Sequence, residues 1–165
     1  MLLVVLATVC KPNAEAVGKP PEQAWWVDIV FDPTGEAVQG IPVKEIDPEW
    51  RKASVLEPAA LDGRISKDEK AQFLASRMGF SLSADLDGDG AREEFVVGVY
   101  ESADGAQGRF VLITKNGKPV QHFTESGTAG FSALLPSDDA VDWYKCMQCG
   151  EFEAIRWTGE GYALE

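Results

Sequence analysis

Histidine occurs once in this chain, at His122. Imidazole is the usual neutral-pH base and a common zinc ligand, so one copy leaves little room for either chemistry. Positive charge is also scarce: 15 Lys and Arg stand against 27 Asp and Glu, for a formal net charge of −12. Nucleic-acid phosphates need a basic face, and so do anionic bilayers, which argues against both as partners. No apolar run reaches the length of about 20 residues that a membrane-spanning helix needs. A Ser-His-Asp arrangement, a phosphate loop, a dinucleotide fingerprint and an internal repeat are absent as well. Cysteine appears only at Cys10, Cys146 and Cys149.

What is present suits one folded domain. The chain has 165 residues and is 45% hydrophobic, enough for a single sizeable core. Its most informative stretch is Asp85-Leu86-Asp87-Gly88-Asp89-Gly90-Ala91-Arg92-Glu93-Glu94, followed by Phe95-Val96-Val97-Gly98-Val99-Tyr100. Calcium takes six to eight oxygens, and a tight loop delivers them from positions 1, 3, 5, a backbone carbonyl at 7, and 9. Those places are Asp85, Asp87, Asp89, the carbonyl of Ala91, and Glu93, with Glu94 as the alternative to Glu93. Gly90 suits the sharp turn at position 6. A plain solvated turn needs fewer acids than this. Carboxylates packed this closely repel one another, so the loop is expected to stay open unless a cation sits among them.

The twelfth place of the loop holds Val96, where a helix–loop–helix calcium site needs a bidentate glutamate. The residues that follow are β-branched and aromatic, a strand signal. This order of loop and strand resembles the calcium sites of FG-GAP and VCBS repeats, found in integrin α-chain propellers and many exported bacterial proteins. The likeness covers about residues 83–100 and occurs once, so a complete propeller is excluded. It implies a bound Ca²⁺ at 85–94 and a partial kinship with propeller-blade hairpins.

At the N-terminus, Met1 to Cys10 is apolar but too short to span a bilayer, and Ala14-Glu15-Ala16 offers an A-x-A-like cleavage site. Residues 1–16 are read as a signal peptide, which leaves 17–165 as one exported domain, periplasmic or secreted, with no other membrane association. A buried N-terminal strand is the alternative. In an exported chain the remaining pair, Cys146 and Cys149, is expected to form a disulfide. Their C-x-x-C spacing also occurs in thiol–disulfide oxidoreductases, but no βαβ pattern surrounds it.

The expected fold is α+β and β-rich: an antiparallel meander with two short accessory helices. Trp25–Phe31 and Ala37–Ile46 read as extended. Asp47-Pro48-Glu49 reads as a helix start, with that helix ending by Pro58. Ser66-Lys67-Asp68-Glu69 is a capping-box pattern opening a helix to about Met78, closed by Gly79 and lined inside by Phe73, Leu74 and Met78. Strands follow at 95–100, 109–115, 118–124 and 130–135, with a turn at 136–139 and a last hairpin over 152–157 and 162–164. Asn116-Gly117 is the strongest hairpin signal. A two-residue turn there sets Val120 opposite Ile113, His122 opposite Val111 and Phe123 opposite Phe110.

Two readings of function stay open beside a non-enzymatic calcium-binding domain with a protein or glycan partner. One is a small polysaccharide hydrolase using acids among Glu125, Asp138, Asp139 and Asp142, with tryptophans stacking on sugar. The other is a redox role for Cys146 and Cys149. His122 reads as a packed residue or, alternatively, a ligand.

Overall fold

A computed structural model of the chain describes residues 24–147 and 149–165. The signal segment expected over 1–16 lies outside them. The architecture is α+β and β-rich, as expected. Among the described residues, eleven strands form three antiparallel sheets, in place of the single meander expected.

The chain enters through α1 (Trp25–Asp28), a two-stranded hairpin β1 (Ala37–Val38) and β2 (Ile41–Pro42), α2 (Val43–Ile46) and β3 (Trp50–Val55). A 3₁₀ turn (Pro58–Leu61) and α3 (Lys67–Ala75) precede β4 (Ser81–Ala84) and β5 (Glu93–Ser102). Then come β6 (Gln107–Lys115), β7 (Lys118–Ser126), β8 (Ala133–Pro136), β9 (Val141–Tyr144), β10 (Phe152–Trp157) and β11 (Tyr162–Leu164).

The five-stranded sheet is built on β5. One edge of β5 pairs with β6, and β7 follows outside β6. The other edge is shared: β4 takes Glu93 to Val96, and β3 takes Gly98 to Ser102. Both faces of β5 are buried. Phe95, Val97 and Val99 join Val111 and Ile113 of β6 in the main core, against Phe73 of α3 and Leu134, Val141, Trp143, Ile155 and Tyr162 of the four-stranded sheet β8–β11. Val96, Tyr100, Phe110 and Leu112 face the opposite way, under a cap of Val38, Ile41, Val43, Ile46 and Trp50. A strand buried on both sides shows a near-continuous apolar run, which is why residues 95–100 read so clearly.

Five expectations are corrected. Ala37–Ile46 is extended only as far as Pro42, and its last turn, Val43–Ile46, is helix α2. Trp25–Asp28 is a helical turn, with Trp25 packed edge-on against Phe73 and Phe131, and only the residues after it are extended. Trp50–Val55 is strand β3, where a helix was expected. Asp47 accepts from the Glu49 amide at 2.8 Å to make a turn, and Trp50 stacks on Tyr100 at 5.0 Å, so pairing with the open edge of β5 overrides the helix-start signal. The capping box forms as expected: Ser66 and Glu69 exchange bonds of 2.7 and 3.2 Å. That helix ends at Ala75, though, with Arg77 rather than Gly79 in the left-handed conformation (φ 66°), and Leu74 faces solvent. The 116–117 turn closes the β6–β7 hairpin, but Pro119 cannot donate to the ladder and a bulge follows it. The register therefore shifts: Gln121 faces Ile113, His122 faces Leu112 and Phe123 faces Val111.

Candidate metal centre

The acidic stretch is the connection of a hairpin. Ala84 of β4 pairs with Glu93 of β5, and Asp85–Arg92 spans between them. Arg92 braces the base of the loop, its Nε donating to Ser83 Oγ at 2.9 Å. Gly90 takes φ 88°, a conformation that side chains disfavour, which is why the turn falls there.

Loop amides aim the carboxylates. Asp85 accepts from Gly88 and Gly90 at 2.9 and 3.1 Å, Asp87 from Asp89 at 3.1 Å, and Asp89 from Ala91 at 2.8 Å. Glu93 accepts from the Leu86 amide at 3.0 Å. One oxygen from each of Asp85, Asp87, Asp89 and Glu93 lies within 4.8 Å of the others. Two oxygens on opposite sides of a calcium ion stand about 4.6–5.2 Å apart, so this spacing matches one shared coordination sphere. The group could hold a metal ion. It also separates the two glutamates: Glu93 is fully buried and belongs to the group, while Glu94 points to solvent.

Two further side chains complete the site, and neither was identified from the sequence. Lys115 is the cross-strand neighbour of Glu93. Its ammonium lies 2.7 Å from Asp87 Oδ2, 2.8 Å from Asp89 Oδ1 and 2.7 Å from Glu93 Oε1. Only the contact with Asp87 is aligned as a hydrogen bond. Glu93 Oε1 is sealed from solvent and makes none, so its contact with Lys115 is electrostatic rather than directional. The expectation of an open loop in the absence of a cation is thus corrected: an ammonium from β6 holds the acids together. Burial works against the Lys115 charge, but pairing with Asp87, Asp89 and Glu93 outweighs it and raises the pKa above the ordinary lysine range. The same pairing, helped by the Ala91 amide, lowers that of Asp89.

Tyr162 of β11 forms the inner wall. Its ring meets Phe95 edge-on at 6.1 Å, and its phenol lies within electrostatic reach of Glu93 and Asp87. Burial first, and then those two carboxylates, push the phenol pKa upward. That Lys115 pairs across from Glu93 and that β11 of the other sheet packs beside them are tertiary facts. Asn116-Gly117 places Lys115 at the end of a hairpin strand, but nothing local says which strand lies beside it.

The other candidates are dispersed. Glu125 pairs with Arg109 at 3.6 Å and Lys145 at 3.2 Å, Asp139 pairs with Arg156, and Asp142 is buried and accepts from Ser137 at 3.1 Å. Trp50 and Trp143 are buried, and Trp25, Trp26 and Trp157 pack against the main core, so no tryptophan is left as an exposed platform among the described residues. His122 packs edge-on against Trp50 with Nε2 3.2 Å from Asp47 Oδ2. Cys146 and Cys149, between β9 and β10, stand at disulfide distance with Cα atoms 5.9 Å apart. None of the described helices is long and apolar enough to cross a membrane.

Against known proteins, no protein family, no curated protein and no solved structure matches this chain.

Proposed function

We propose that this chain is an exported, non-enzymatic calcium-binding domain in which the ion pins the β4–β5 hairpin and supports a structural or partner-binding role. The observation that carries the reading is Glu93: a buried carboxylate grouped with three aspartates at coordination spacing, its Oε1 held only by the Lys115 ammonium at 2.7 Å. Four carboxylates against one ammonium leave an excess of three negative charges, which a divalent ion offsets better than a lysine. An all-oxygen site favours a hard cation, and an eight-residue loop of this kind suits calcium over the smaller and stricter magnesium. The passage from acidic loop directly into strand is the order found in FG-GAP and VCBS repeats.

Export is supported by the apolar Met1–Cys10 run, the Ala14-Glu15-Ala16 site and the paired Cys146 and Cys149. A partner would be a protein or a glycan, since a net charge of −12 repels nucleic acid. Extracellular modules of this kind bind calcium at about 10⁻⁴–10⁻³ M. At the tighter end, about 1 mM free calcium stabilises the fold by roughly 1.4 kcal/mol.

The test uses terbium, which takes calcium sites and luminesces when an aromatic donor is adjacent. Tyr162 packs on Phe95, two residues from Glu93, so Tb³⁺ should show sensitised emission that calcium displaces and Tyr162→Phe dims. No emission, together with no change of melting temperature between calcium and EGTA, overturns the reading.

A further inference from the structure

The acidic cluster already holds a cation of its own. Lys115 reaches it from β6, and its ammonium is within 2.8 Å of three carboxylate oxygens that a metal would use. Only the bond to Asp87 is aligned. Glu93 Oε1 stays buried without a hydrogen bond. An ammonium has three directional donors, whereas a divalent ion attracts oxygens from every side. The ammonium therefore sits where a divalent ion would sit, against the same acidic side chains.

We propose that Lys115 is the resident counter-cation of this site and that calcium binds by exchange with it, the ammonium leaving Asp87, Asp89 and Glu93 as the ion enters. The inference rests on the calcium reading above and adds its mechanism of regulation. Both cations cannot share the same oxygens, because they repel each other at contact distance. The ammonium has somewhere to go: Lys115 is the last residue of β6, beside the exposed Asn116-Gly117 turn. The exchange has two consequences. The hairpin stays closed without calcium, because Lys115 neutralises part of the acidic charge. Affinity for calcium is set lower than four carboxylates alone would give, so the site responds to the high calcium of an extracellular fluid rather than to trace metal.

The direct test is amine labelling of the wild-type chain with an acetyl N-hydroxysuccinimide ester, read by mass spectrometry. Lys115 should be protected in EGTA and become several-fold more reactive in excess calcium chloride, while Lys44 and Lys118 stay unchanged. In parallel, Lys115→Met should tighten calcium binding by about tenfold or more, and Lys115→Arg should not. If calcium binds but Lys115 labelling is unchanged or falls, the exchange is overturned and the calcium reading stands. Equal or weaker binding by Lys115→Met likewise overturns the exchange alone. Binding by Lys115→Met but not by the wild type supports competition and ends the calcium reading for the natural chain. Binding by neither protein overturns both. If the variant fails to fold, the wild-type labelling decides.

Discussion

Gln121 and Tyr162 join the two large sheets through a side-chain imitation of strand pairing. Gln121 Nε2 donates to the Tyr162 carbonyl at 2.7 Å, and the Tyr162 amide donates back to Gln121 Oε1 at 3.0 Å. Gln121 lies on β7 and Tyr162 on β11, so an amide side chain satisfies the outer edge of one sheet from the edge strand of the other. Gln121→Ala removes both bonds at once. It should cost about 1–2 kcal/mol, read as a lowered urea midpoint. It should also weaken calcium binding, because the Tyr162 wall of the site would lose its anchor. An unchanged midpoint would show that water replaces the amide without loss.

Gly98 is set by space. A Cβ there would lie 2.4 Å from both the Phe110 ring and the Ser54 carbonyl, between β3 and β6. The phenyl ring of Phe110 is fully buried and cannot move freely. Gly98→Ala is expected to destabilise the domain by about 1–3 kcal/mol, the cost of overpacking a close-packed core. Thermal unfolding in EGTA measures it without interference from bound metal.

The helix cap gives a pH dependence that is independent of the metal centre. Bonds from the Ser66 side chain and then from its backbone lower the pKa of Glu69 below its ordinary 4.5. A carboxylate whose pKa falls on folding stabilises the folded state above its unfolded value. That stability is lost as the pH drops through the lower folded value. The start of α3 should therefore hold its cap through pH 4.5 and release it only below. Following the Ser66 and Glu69 amide resonances by NMR should give a midpoint under the ordinary value, and one at or above it would contradict the capping box.

The sequence was legible where chemistry is local. The capping box at Ser66, the Asn116-Gly117 turn, the final hairpin and the acidic loop all depend on neighbours within a few residues, and each was found in place. It was illegible where a distant partner decides. Asp47-Pro48 carries a helix signal, yet the segment behind it becomes β3 because the edge of β5 lacks a neighbour beyond Val97. The β6–β7 register moved because Pro119 breaks the ladder and Val120 bulges out. The helix stop passed from Gly79 to Arg77, a residue that adopts the left-handed conformation at a cost the pattern does not reveal. At the site, the loop named Asp85, Asp87, Asp89 and Glu93. Lys115 and Tyr162 come from strands whose position beside Glu93 is a property of the whole fold. That also corrects the electrostatic premise: the clustered acids are tolerated with a lysine among them, so a metal is not the sole way to hold them together.

The central claim is that Glu93 and the three aspartates coordinate one calcium ion. Isothermal titration of the full chain with calcium chloride, beside Glu93→Gln, tests it most directly. The account predicts one site per chain in the wild type and a loss of at least tenfold in affinity for the variant, which keeps the shape of Glu93 but removes its charge. Absence of heat from the wild type, or equal binding by the two proteins, would contradict it.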